Sequence, residues 1–154
     1  MSRFNNFALI GLYLVSLSGF SFNAFATGGH GSPNGSVIPY SWDMDGNDEA
    51  DALTDGLLML RYSFGLSGDA LTSGAIASDA ILSSSEVEVR LGNMAAISDI
   101  DDNGAVDALT DGLMLLRYMF NLRGEQLVNQ TVAQDAVRTT HAQIEQYIAS
   151  FMPS

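Results

Sequence analysis

The chain has 154 residues and a formal charge of −12, from 18 acidic against 6 basic side chains. That acidity excludes a nucleic-acid-binding surface and argues against anionic membrane faces, since both would repel it. With no cysteine, disulfides, thiolate metal sites and lipid-bearing cysteine anchors are all excluded.

Residues 1–26 read as a signal peptide. Arg3 provides a small positive start, Phe7 to Phe22 is apolar with interspersed Ser and Gly, and Ala24-Phe25-Ala26 fits the small-x-small cleavage rule. The expectation is export to the periplasm or the medium, with no membrane attachment after cleavage. Residues 27–37 (TGGHGSPNGSV) read as a flexible linker. The ordered domain is expected over residues 38–154.

That domain is a tandem duplication with repeats of about 43–98 and 99–154. DMDGNDEADALTDGLLMLRYSFGL opens at Asp43 and DIDDNGAVDALTDGLMLLRYMFNL opens at Asp99, 56 positions later, with more than half of the aligned positions identical. Inside each unit the apolar period is helical: Leu53, Leu57, Leu60 and Phe64 share one face, as do Leu109, Leu113, Leu116 and Phe120. Leu58 with Tyr62, and Met114 with Tyr118, make a second apolar face, so the helix is expected to be buried between neighbours or to cover a partner site. Gly65 with Gly68, and Gly124 after Asn121, read as stop signals. A second helix follows in each unit. Ser85-x-x-Glu88 is expected to open one running to Met94, with Gly92 spoiling its last turn; Thr140-x-x-Gln143 opens one running to Met152 before Pro153. No strand pattern is present, and the predicted class is all-α.

The acidic stretch before each long helix has the spacing of a loop that wraps a hard cation. Numbered from its first Asp, the second loop places Asp99 at position 1, Asp101 at 3, Asn103 at 5, Gly104 at 6, Ala105 at 7, Asp107 at 9 and Asp111 at 13. Alternation turns the side chains at 1, 3 and 5 toward one centre. Gly104 permits the sharp turn that presents the position-7 carbonyl, and an acid at the helix start closes the far side. The first loop matches with Asp43, Asp45, Asn47, Glu49 at the carbonyl position, Asp51 and Asp55, but has Asp48 in place of the glycine. An all-oxygen set suits Ca2+ over zinc or copper. Two Ca2+ sites are expected, with the second the tighter by about tenfold, because Asp48 must adopt a left-handed conformation at a cost near 1 kcal/mol unless Gly46 relaxes the turn.

The alternating Asp/Asn loop, the single following helix and the duplication resemble the type I dockerin module, half an EF-hand used twice. The resemblance covers Asp43 to about Leu127. It implies calcium-dependent folding and docking of a secreted polysaccharide-degrading enzyme onto a cohesin-like or other envelope protein partner. The chain departs from the pattern in three places. The closing acid falls at position 13 rather than 12, positions 10 and 11 are Ala-Leu instead of hydroxyl pairs, and the spacer between units is longer.

The remaining candidates carry less chemistry. Arg61 and Arg117 recur at one helix position and are expected to pair with nearby loop acids. Trp42 is expected to cover the N-terminal end of the core, and the methionines to fill it. His30 and His141 stand apart from any nucleophile, and no arrangement for acid–base or nucleophilic catalysis is recognisable, so a binding role without catalysis is expected. The competing expectation is a metal-independent helical interaction protein whose acids only solubilise it.

Overall fold

The computed structural model describes residues 40–154. The leader at 1–26 and the linker at 27–37 lie outside the described residues. Among the described residues there are six α-helices and no strand, so the chain is all-α, and no helix is long and apolar enough to cross a membrane.

Each acidic loop runs into a π-helical turn, Ala52–Gly56 or Ala108–Gly112, that continues as an α-helix, α1 (Leu57–Ser63) or α4 (Leu113–Met119). The i→i+5 bonds are Gly56 N–H to the Asp51 carbonyl at 3.0 Å and Gly112 N–H to the Asp107 carbonyl at 3.1 Å. A π turn carries one residue more than the α turn it replaces, and such turns concentrate at functional sites. Both helices end in a Schellman motif. Leu66 N–H reaches the Arg61 carbonyl and Leu122 N–H the Arg117 carbonyl, with Gly65 and Asn121 left-handed between. Gly68 and Gly124 instead sit at the starts of two short helices, α2 (Gly68–Thr72) and α5 (Glu125–Val128), which the sequence pattern did not indicate.

The apolar stripe differs from the expected one. Leu53, Phe64, Leu109 and Phe120 of the first expected face are exposed, whereas Leu58 and Met114 of the second are fully buried, with Met59 and Leu115 beside them. Leu53 and Leu109 lie inside the π turns, whose extra residue takes them out of 3.6-residue register with the core-facing positions that follow, and Phe64 and Phe120 are the C-cap residues of α1 and α4. The two helix starts cross closely: a Cβ on Gly56 would meet Leu116 Cδ1 at 3.0 Å and Met119 Sδ at 2.9 Å, and one on Gly112 would meet Leu60 Cα at 3.3 Å. Glycine therefore sets how near the two units approach. Arg61 and Arg117 do not bond the loop acids. Each donates to two main-chain carbonyls at the C-terminal end of the following short helix, Leu71 and Ser73 or Leu127 and Asn129. Those carbonyls have no helical partner, and a cation satisfies them.

The closing helices are α3 (Ser84–Ser98) and α6 (His141–Ala149). Thr140 and Gln143 form the expected capping box on α6. On α3 the box lies two residues earlier than expected, with Glu86 accepting from the Ser83 N–H and hydroxyl, while Glu88 accepts from Gly68 N–H. Gly92 does not end the helix, which runs on to Ser98 and delivers the chain directly into Asp99. Val87, Leu91, Met94 and Ile97 bury its inner face. Trp42 is fully buried, as expected. Its Nε1 donates to the Ile148 carbonyl at 2.8 Å, its ring meets Phe151 edge-on, and its main-chain N–H reaches the Phe151 carbonyl. The entry to loop one is thereby tied to the C-terminal helix.

Two glycine substitutions are expected to move stability in opposite directions. Gly112→Val forces atoms against the Leu60 backbone and should cost about 1–3 kcal/mol. Gly92 lies mid-helix with only the Tyr62 hydroxyl near its missing Cβ, at 3.5 Å, so Gly92→Ala should add roughly 0.5–1 kcal/mol. Urea unfolding in one buffer ranks them; the reverse order would contradict the close crossing.

Candidate metal centres

The site is assembled from residues far apart in each loop. One oxygen each from Asp43, Asp45 and Asp55 lies within 4.8 Å of the others, and Asp99, Asp101 and Asp111 repeat the arrangement. Positions 1, 3 and 13 therefore converge. The closing acid comes late in sequence because the π turn holds one extra residue between the loop and the helix.

The carboxylate at position 13 organises the loop. Asp55 Oδ1 accepts from the N–H groups of Met44 and Asp45, and Oδ2 from Asp51 N–H and the Thr54 hydroxyl. Asp111 takes the same four bonds, from Ile100, Asp101, Asp107 and Thr110. The Asp51 and Asp107 bonds do what a capping box does, with a side chain near the helix start reaching back to the N-cap N–H. The position-1 acid holds the turn. Asp43 accepts from Gly46, Asn47 and Asp48, and Asp99 from Asn103 and Gly104. Positions 4 and 6 are left-handed in both loops: Gly46 and Asp48 at φ 82° and 67°, Asp102 and Gly104 at 62° and 89°. Each loop thus spends one glycine and one aspartate on these two positions, and the Asp48 substitution does not by itself rank the loops.

Asp45 and Asp101 differ from their neighbours. Each is fully buried, and each gives Oδ2 to an N–H of the returning chain, Ala77 or Ala133, at 2.8 Å. The other oxygen of each, Oδ1, is buried without any hydrogen-bond partner. A buried, unpaired carboxylate oxygen is costly, and buried charges are normally paired or bound to a metal. This orphaned oxygen, at the same position in both loops and beside two further carboxylates, is the feature a cation would satisfy.

Of the other expected carboxylate ligands, Asp51 and Asp107 do not join these triads. Asp51 and Asp107 are exposed, as are Glu49 and Ala105, whose expected contribution is a carbonyl. Asn47 and Asn103 are half-buried, and their side-chain oxygens accept from the N–H groups of Glu49 and Ala105. The return segments also went unread in the sequence: Ala77 with Leu82, and Ala133 with Val137 and Arg138, close each loop from behind by bonding to position 3. Their signal in the sequence is Ala77-Ser78-Asp79-Ala80 against Ala133-Gln134-Asp135-Ala136, at the same 56-residue offset.

Burial is the main cause that raises the pKa of Asp55 and Asp111 above the ordinary 3.8, against the lowering effect of their N–H donors. A raised folded-state pKa means that the folded, metal-free protein holds these protons more tightly than the unfolded chain does. The associated stability is fully present below about 3.8 and is lost as pH rises through the folded pKa. In chelator, the wild type should therefore lose melting temperature relative to the Asp55→Asn, Asp111→Asn double variant as pH is raised from about 4 toward neutrality; a wild type that gains on the double variant over this range would contradict the assignment. Comparison with protein-family models, curated proteins and solved structures finds no match to this chain.

Proposed function

We propose that this is an exported calcium-binding module of dockerin-like type, with one Ca2+ in each loop stabilising a helical domain that docks a protein partner. The observation that carries the reading is the orphaned Oδ1 of Asp45 and Asp101, each buried within a triad of carboxylates. The donors are all hard oxygens, as Ca2+ prefers. Asp43, Asp45 and Asp55 would hold one ion and Asp99, Asp101 and Asp111 the other. Asn47, Asp51 and the Glu49 carbonyl are the remaining candidates in the first loop, and Asn103, Asp107 and the Ala105 carbonyl in the second. The ion supplies positive charge among the acids and no reaction; the role is binding.

The docking part of the reading draws on surface chemistry. The exposed large apolar side chains among the described residues include three pairs at equivalent positions of the two units: Leu53 with Leu109, Phe64 with Phe120, and Ile81 with Val137. Leu53 also lines a concavity with Met119 and Phe120, so the apolar surface there draws on both units. Leu53 and Leu109 stand at position 11 of their loops, where a calcium-dependent change in the loop would reach them. A link to polysaccharide handling rests on the resemblance alone.

A metal-independent scaffold has one observation in its favour. Every carboxylate oxygen of the position-1 and position-13 acids already accepts a main-chain N–H bond, so the loops carry much of their own support.

Melting curves in EDTA, Ca2+ and Mg2+ separate the two readings. Two sites, each at a hundredfold excess over Kd, add about 5 kcal/mol, which corresponds to a rise of roughly 10 °C or more. The rise should be smaller with Mg2+, which demands near-ideal octahedral geometry, and should weaken as pH falls, because protons compete for the same carboxylates. Superimposable curves would leave the metal-independent scaffold standing.

A further inference from the structure

The two loops share their carboxylates but differ in the side chain that closes them from behind. Arg138 and Leu82 are equivalent positions, and the main-chain N–H of each donates to the carbonyl at position 3, Asp101 at 2.8 Å and Asp45 at 3.1 Å. Beyond that shared bond the units diverge. Arg138 Nε donates to the Ile100 carbonyl and a terminal nitrogen to the Asp99 carbonyl, both at 2.6 Å, so one planar fork grips two consecutive loop carbonyls. Its remaining nitrogen faces Asp102 at 3.4 Å. The guanidinium also lies over the Tyr147 ring at 4.0 Å, and the Tyr147 hydroxyl donates to the Ile97 carbonyl just ahead of the loop. Leu82 has no donor; with Ile81 it covers Gly46 instead, near enough that a Cβ there would meet Leu82 Cγ at 3.1 Å and Ile81 Cγ1 at 2.9 Å.

The residue facing each of these side chains changes with it. Where unit two has Arg138 it has Asp102 at position 4; where unit one has Leu82 it has Gly46. The Asp102–Arg138 pair adds no net charge relative to Gly46–Leu82, so to first order it neither attracts nor repels a cation. What it adds is the fork on the loop backbone.

We propose that Arg138 is a positioning residue of the second loop: it fastens that loop in its binding shape before an ion arrives, so the second loop is ordered in the metal-free protein and fills first. A site that pays no ordering cost binds with its full intrinsic affinity, whereas a partly disordered one is weakened in proportion to its competent fraction. The order of filling rests on the calcium reading; the metal-free order does not.

Amide hydrogen exchange on the full chain in EDTA tests the first part. Asn103 and Gly104, whose N–H groups bond Asp99, should exchange more slowly than their equivalents Asn47 and Asp48, whose N–H groups bond Asp43. The expected gap is roughly ten- to a hundredfold, the scale of hydrogen bonds to a charged group. Arg138→Leu should bring the second loop to the rate of the first, while the Ile148 amide in α6 reports whether the fold survives. Arg138→Lys keeps the charge but cannot fork, and should fall between the two. Equal rates in the two wild-type loops would overturn the proposal, as would an Arg138→Lys protein that behaves as wild type. In a calcium titration followed by the same amides, the second loop should respond first in the wild type and lose that lead in Arg138→Leu; a lead that persists overturns the order of filling. If no amide responds to calcium, the calcium reading fails on its own, and the EDTA comparison still decides the role of Arg138.

Discussion

Bringing three carboxylates within 4.8 Å of one another and burying at least two of them is the constraint from which each loop is built. Two unit charges at that separation repel by roughly 3–4 kcal/mol at an effective dielectric of about 20. The loop answers part of this with main-chain dipoles. Met44, Asp45 and Asp51 turn their N–H groups onto Asp55, and Gly46, Asn47 and Asp48 turn theirs onto Asp43. Aiming that many N–H groups inward requires the left-handed residues at positions 4 and 6. Reaching the first acid from the helix requires the extra residue of the π turn. Only Oδ1 of Asp45 and of Asp101 remains unanswered. The proposed Ca2+ meets that demand with a single positive centre, and the apolar core behind the loops is the scaffold that keeps the acids together.

The scaffold is duplicated where the loops need the same support and differs where the units have different neighbours. Gly56 and Gly112 allow the two helix starts to cross at backbone distance. Arg61 and Arg117 cap the same short-helix carbonyls. The differences collect around the ends. Loop one is entered from Trp42, which is bonded to α6, while loop two is entered straight from α3. The second loop therefore has a helix on both sides and an arginine behind it, and the first has neither.

Much of this was legible in the chain. The period-56 duplication, the all-helical class and the Thr140 capping box follow from spacing alone. Spacing turns positions 1, 3 and 5 toward one centre with the acid at 13 closing it; the acids at 1, 3 and 13 do converge, while the oxygens of Asn47 and Asn103 at position 5 accept from the N–H groups of Glu49 and Ala105. The faces of the long helices were not legible. A periodic reading assumes 3.6 residues per turn, and the π turn breaks that assumption between Leu53 inside it and Leu58 beyond it. The same turn explains why a closing acid at position 13 reaches its partners. The capping box of α3 was misplaced because Ser83, Ser84 and Ser85 all offer a cap, and Glu86 and Glu88 both offer the reciprocal carboxylate; choosing between them depends on Gly68, a tertiary neighbour that takes Glu88. The partners of Arg61 and Arg117 were missed for a related reason. The carbonyls they satisfy belong to short helices too brief to show a period.

Calorimetric titration of Ca2+ into the metal-free protein tests the central claim most directly. The account predicts two ions per chain, one after Asp45→Ala, one after Asp101→Ala, and none after both substitutions, because each truncation removes the carboxylate oxygen for which the structure offers no other partner. A stoichiometry indifferent to Asp45 and Asp101, or no binding at all, would contradict it.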